Sequence, residues 1–167
     1  MTATSPCVVI VMGVSGAGKS TLGSALAAAL GWRFEDADTY HSPANIAKMA
    51  TGVALNDDDR AEWLETLAAL VAEAATDCAG LVLACSALRE SYRAALGVGR
   101  EEVGLVHVTA PPDVLGARLT RRADHFMPPA LLDSQLLTLE PPQAALVLEA
   151  TKPVPDLVAT IRRHWAL

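Results

Sequence analysis

The first apolar run of the chain, Cys7-Val8-Val9-Ile10-Val11-Met12, is continuous rather than alternating and rich in β-branched residues. That pattern predicts a strand buried on both faces. A glycine-rich turn follows, and Ser20 to Leu30, dense in Ala and Leu, predicts a helix. Leu81-Val82-Leu83-Ala84-Cys85 and Leu105-Val106-His107-Val108 predict two more buried strands. Arg33-Phe34-Glu35-Asp36 and Ala145-Leu146-Val147-Leu148 carry a weaker strand pattern. Helical patterns fall between them, near residues 43–50, 57–76, 87–96, 112–122 and 155–166. Ser42 before Pro43 is an N-cap with proline at the first helical position. Asn56 with Asp57, Asp58 and Asp59 supplies acceptors and negative charge to the next helix start, and Pro111-Pro112 before Asp113 opens another. Strands alternating with helices imply βαβ units, and so an α/β fold with a parallel five-stranded sheet and helices on both faces. Such sheets bind ligands beyond the carboxyl ends of their strands. The loops after Met12, Asp36 and Cys85 are therefore the places to look for chemistry.

At 167 residues and 51% hydrophobic, the chain suits one domain with a sizeable core. A net charge of -6 argues against nucleic-acid binding or an anionic membrane surface, both of which need a basic face. A few basic residues can still line a pocket for a small anion. Cys7, Cys78 and Cys85 are too few and too scattered for a disulfide framework, and read as small apolar residues in a reducing compartment. No basic segment precedes the first apolar run, so it does not read as a signal peptide, and no run is long enough to span a membrane. The expectation is a soluble cytoplasmic protein.

Gly13-Val14-Ser15-Gly16-Ala17-Gly18-Lys19-Ser20 matches G-x-x-x-x-G-K-[ST] in full, directly after a strand and before a helix. Glycines let the backbone curl so that successive N–H groups converge on phosphate oxygens, and the helix N-terminus adds its positive end. Gly13 to Ser20 and Thr21 are therefore the candidate cradle for ATP. Lys19 would reach the β- and γ-phosphates, and the Ser20 hydroxyl would ligate Mg²⁺. After the second strand, Asp36 and Asp38 offer two carboxylates for separate tasks. One can hold the water shell of Mg²⁺, and the other can accept a proton from a substrate hydroxyl. Taken alone, a D-x-D at that position serves turns and caps. The alternation of side chains along a strand, broken by a turn after Asp36, assigns Asp36 to Mg²⁺ through water and Asp38 to the acceptor.

Met12 to Ser20, Asp36-Ala37-Asp38 with His41, Asn45, Lys48-Met49, Gly52, Leu55-Asn56-Asp57-Asp58-Asp59-Arg60 and Trp63-Leu64 form one series of matches. Cys85-Ser86-Ala87-Leu88 with Tyr92-Arg93, Arg118-Leu119, Arg122, His125-Phe126-Met127, Ser134-Gln135 and Leu139-Glu140-Pro141 continue it. Through these residues the chain resembles, over nearly its whole length, the gluconokinases, small P-loop kinases that phosphorylate D-gluconate. The phosphate loop is common to many families, whereas L-N-D-D-D-R, C-S-A-L-x-x-x-Y-R and R-x-x-H-F-M are narrow. The resemblance implies transfer of the ATP γ-phosphoryl group to the 6-hydroxyl of gluconate, a short mobile lid near 121–137, and often a homodimer. Two positions depart from the family pattern: Ala54, where proline is usual, and Asp124, where glycine is common.

Gluconate is an anion bearing a row of hydroxyls. Arg60, Lys48 and Arg93 are the candidates for its carboxylate, with the two arginines favoured for their bidentate geometry, and His41, Asn45 and Ser86 for its hydroxyls. Each has a plainer alternative: an ion pair with Asp57 for Arg60, a solvated helix face for Lys48 and Asn45, a surface position for His41 and a helix cap for Ser86. Arg118, Arg121 and Arg122 either complement a solvated helix end or belong to the lid. The lid reading gives Arg122 the transferring phosphate, Arg118 the adenine or the α/β-phosphates, and Arg121 solvent. Trp32, Trp63 and Trp165 read as packing residues.

Overall fold

The computed structural model describes residues 4–121 and 130–167. Its strands are β1 (Val8–Met12), β2 (Arg33–Asp36), β3 (Leu81–Ala84), β4 (Val103–Thr109) and β5 (Leu146–Glu149). They form one parallel sheet in the order β2-β3-β1-β4-β5. The helices are α1 (Lys19–Leu30), α2 (Pro43–Ala50), α3 (Asp57–Asp77), α4 (Glu90–Ala95), α5 (Pro112–Arg121), α6 (Leu131–Thr138) and α7 (Val154–Trp165). A short 3-10 turn, Ala37–Tyr40, follows β2 directly.

The alternation of side chains along β1 divides the core in two. Val9 and Val11 face Leu22 and Leu26 of α1, Leu115 and Leu119 of α5, and Leu157 and Ile161 of α7. Val8, Ile10 and Met12 face the other way, against Trp63, Leu67, Val71 and Ala75 along α3. Every β1 side chain is fully buried, as a continuous apolar run paired on both edges demands. A small third cluster of Met49, Leu55 and Leu131 joins α2, the start of α3 and α6.

The predicted strands and caps are present. Ser42 Oγ accepts from the Asn45 N–H, and Asn56 and Asp59 form a reciprocal capping box at the start of α3. Three elements differ from expectation. The helix predicted over 87–96 is confined to Glu90–Ala95, because Ala87 takes a left-handed backbone (φ 45) and the chain from Cys85 to Arg89 is a loop. Leu131–Thr138, inside the expected lid segment, is helix α6 with Leu131 and Leu132 buried. β4 begins two residues before its apolar run, at Val103, and takes in Gly104. A side chain at Gly104 would meet Trp165 Cζ2 at 2.9 Å and Pro6 Cγ at 3.1 Å, so the strand accepts only glycine where α7's last turn lies against it.

That close approach sets a test. Gly104→Val should lower stability by about 1–3 kcal/mol through overpacking. The measurement is the urea midpoint, with an unchanged slope, and Gly104→Ala should cost less than the valine.

Candidate active site

The cradle is built by the end of β1. Gly13 has φ 155, and a Cβ there would stand 2.6 Å from the Val108 carbonyl oxygen of β4. Glycine lets the loop leave the sheet between two strands. Lys19, the first residue of α1, folds back to donate from Nζ to the Val14 carbonyl at 3.1 Å, which holds its ammonium over the loop. Arg118 ties the loop from outside, donating from Nη1 to the Gly16 carbonyl at 3.1 Å and from Nη2 to the Ala150 carbonyl at 2.9 Å.

Asp36 closes β2 and does two things with one carboxylate. One oxygen accepts the Ser20 hydroxyl at 2.5 Å, and the other accepts the Asp38 N–H at 3.0 Å, capping the 3-10 turn. The turn chemistry and the pairing with the phosphate loop thus coexist. Hard oxygen donors from Ser20 and Asp36, side by side at the start of α1, suit a Mg²⁺ ion held partly through water.

One cavity gathers Ser15, Lys19, Asp38, His41, Arg60, Trp63 and Ser86, roofed by Leu131, Ser134, Gln135 and Thr138 of α6. His41 is not a surface residue. Its ring stacks on Trp63 with centroids 4.6 Å apart, and the Trp63 Nε1–H donates to the Ala37 carbonyl at 2.8 Å, which fixes the platform. Burial pushes the His41 pKa down, although Asp38 partly opposes this, so the neutral ring can both donate and accept. Ser86 is no helix cap; Arg89 holds that position for α4. Cys85 beside it is fully buried, and its thiol is pushed up to about 12, so it offers no thiolate.

Three expected ligands are employed elsewhere. Arg93 is 5% exposed, and its guanidinium donates to the backbone carbonyls of Ala87 (2.8 Å), Leu88 (3.1 Å) and Glu140 (2.9 Å). It binds the loop after β3 to the segment before β5 and does not line the cavity. Asn45 is buried and donates from Nδ2 to the Asp59 carbonyl at 2.7 Å, and Lys48 pairs with the Asp59 carboxylate at 2.5 Å. Both tie α2 to α3 outside the cavity. Arg60 does line it, and the alternative of an ion pair with Asp57 is absent: its Nη1 donates to the Tyr92 hydroxyl at 3.1 Å. Arg122, Asp124 and His125 to Met127 lie outside the described residues. Arg121 is exposed, as expected.

The sequence reading gave no role to Gln135, whose side-chain oxygen accepts the Ser15 N–H of the phosphate loop at 2.7 Å, or to Tyr92. Tyr92 stood in the narrow C-S-A-L-x-x-x-Y-R motif and Gln135 in the Ser134-Gln135 match, which were their only signals. A second hollow of about 310 Å³ is bordered by Gly18, Thr21, Arg118, Arg121, Ala150 and Val154. It adjoins the phosphate loop where a nucleoside would extend from it.

A family model described as shikimate kinase matches residues 15–142. A probable gluconokinase of Rattus norvegicus is 41% identical, covering 93% of this chain and 96% of its own. A gluconokinase of Gluconobacter oxydans is 47% identical, covering 82% and 77%. The chain belongs to the gluconokinase family. The solved structure of a gluconokinase from Sinorhizobium meliloti superposes with a TM-score of 0.81 at 37% identity, over 98% of this chain and 95% of that one. The gluconokinase scaffold is thus the shikimate-kinase-type P-loop fold, with a five-stranded parallel sheet.

The placement of Arg93 gives a prediction that separates its two readings. Arg93→Met should cost about 3 kcal/mol by leaving buried carbonyls without donors. Thermal or urea unfolding reads that loss. A residue clamping an anionic acceptor would instead raise KM at unchanged stability.

Proposed function

We propose that this chain transfers the γ-phosphoryl group of ATP to the 6-hydroxyl of D-gluconate, giving 6-phospho-D-gluconate and ADP. The observation that carries this reading is the content of one cavity: Lys19 from the phosphate loop, the Asp38 carboxylate, and the Arg60 guanidinium with no ion pair among the described residues. A polyol acid needs those three groups: a cation for the phosphoryl, an acceptor for the hydroxyl proton and a cation for the carboxylate. The gluconokinase relatives carry the choice of acceptor.

In this reading Gly13 to Thr21 cradle the triphosphate, and a phosphate oxygen on the Ser15 N–H takes the place of the Gln135 amide. Arg118 borders the hollow for the nucleoside. Ser20 and, through water, Asp36 hold Mg²⁺, which draws negative charge from the phosphates when bound. The Lys19 ammonium stabilises charge on the transferring group. Asp38 orients the attacking hydroxyl and takes its proton. His41 and Ser86 face the remaining hydroxyls, and Arg60 grips the carboxylate. An acidic chain with no described helix long and apolar enough to cross a membrane supports a cytoplasmic enzyme whose partner is a small molecule.

ADP release should be fast with gluconate and at background with shikimate, AMP or no acceptor. Fast release with shikimate would move the acceptor assignment. Lys19→Met should abolish turnover in a folded protein. Asp38→Asn should lower kcat by about 10²–10⁴ while nucleotide affinity and Mg²⁺ dependence hold. Asp36→Asn should raise the Mg²⁺ needed for half-maximal rate, and a crossed result would exchange the two roles.

A further inference from the structure

We propose that Tyr92 is a positioning residue for the acceptor carboxylate, its hydroxyl holding the Arg60 guanidinium in the cavity wall and keeping Asp57 from neutralising it. The inference rests on the reading of Arg60 as the carboxylate grip. Asp57 and Arg60 stand three residues apart on the first turn of α3, a spacing at which opposite charges ordinarily pair. Here Tyr92, 8% exposed and projecting from α4, stands between them. Its hydroxyl donates to Asp57 Oδ1 and accepts from Arg60 Nη1.

The direction of that relay follows from proton count. A phenol carries one proton, and Asp57 takes it. The hydrogen bond from Tyr92 holds the Asp57 carboxyl below its ordinary range, so it stays an acceptor at neutral pH. Arg89, 4.0 Å from the other Asp57 oxygen, draws on the same carboxylate. The Tyr92 oxygen therefore presents lone pairs to Arg60. Arg60 spends one N–H on a neutral partner, feels the Asp57 and Asp59 carboxylates only at a distance without an ion pair among the described residues, and has its guanidinium carbon 5.6 Å from the Tyr92 ring centroid. A cation held by one edge to a neutral hydroxyl and in no direct ion pair is set for bidentate capture of a carboxylate with its other edge. A direct Asp57–Arg60 pair would make the substrate compete with the protein's own carboxylate.

The test is a double-mutant cycle on the full chain, read as KM for gluconate, KM for ATP and kcat. Tyr92→Phe keeps the ring and removes the hydroxyl. It should raise KM for gluconate about tenfold, the worth of one hydrogen bond to a charged group, with kcat and KM for ATP within about twofold. In an Arg60→Ala background the same change should alter kcat/KM for gluconate by less than about twofold, because the group it positions is gone. An equal effect of Tyr92→Phe in both backgrounds, or a fall in kcat with KM unchanged, overturns the inference and leaves Tyr92 a structural residue. A raised KM in Arg60→Ala with a normal one in Tyr92→Phe also overturns it while sparing the carboxylate reading. An unchanged KM in Arg60→Ala overturns that reading, and this inference with it.

Discussion

Everything at the site hangs from one constraint, the pairing of β1 along both edges. A strand hydrogen-bonded to β3 on one side and β4 on the other, with every side chain buried, has no freedom to shift its register. The point at which its backbone leaves the sheet is therefore fixed. Gly13 sits there, against the Val108 carbonyl, and the curl of the phosphate loop begins from that position. The neighbouring strands end at the same level, so Asp36 at the end of β2 and Ser86 just after β3 arrive beside the loop without any long connection.

What the sheet cannot do is hold the loops themselves, and here three polar side chains take over. Asp36 joins the second loop to the first through Ser20. Arg118 ties the phosphate loop to the chain after β5, and Arg93 gathers the carbonyls of the third loop. Each satisfies backbone or hydroxyl groups that a turn leaves exposed to a low-dielectric interior, where an unpaired carbonyl or donor is costly. The residues facing the cavity are thereby fixed by residues that do not face it.

That division explains what could be read in the sequence. Continuous apolar runs revealed β1, β3 and β4, because burial on both faces leaves a pattern that needs no tertiary information, whereas the edge strands β2 and β5, partly exposed, left only a weak one. The phosphate loop was legible because its spacing specifies it. Asp38, which taken alone reads as turn chemistry, was picked out by its place one βα unit after that loop, and it shares the cavity with Lys19. Arg93 was misplaced because its partners, the carbonyls of Ala87, Leu88 and Glu140, leave no trace in residue type. Asn45 deceived for the same reason, its partner being the Asp59 carbonyl. Helix α6 was hidden: Leu131 and Leu132 are buried while Leu137 is 88% exposed, so no apolar stripe of helical period marks it. The Tyr92 relay needed coordinates, since nothing in the spacing of Asp57 and Arg60 shows that a third residue stands between them.

Helix α1 stands apart among the described helices in having neither a side-chain cap nor an acidic residue in its first turn; the others have at least one. Its dipole is completed by whatever anion sits in the loop ahead of it. The native state therefore gains stability in proportion to the logarithm of nucleotide concentration, while the unfolded chain, lacking the loop, gains none. Melting temperature and resistance to proteolysis become properties of the surroundings as well as of the chain. A cell that runs short of nucleoside triphosphate would hold the same sequence in a less durable form.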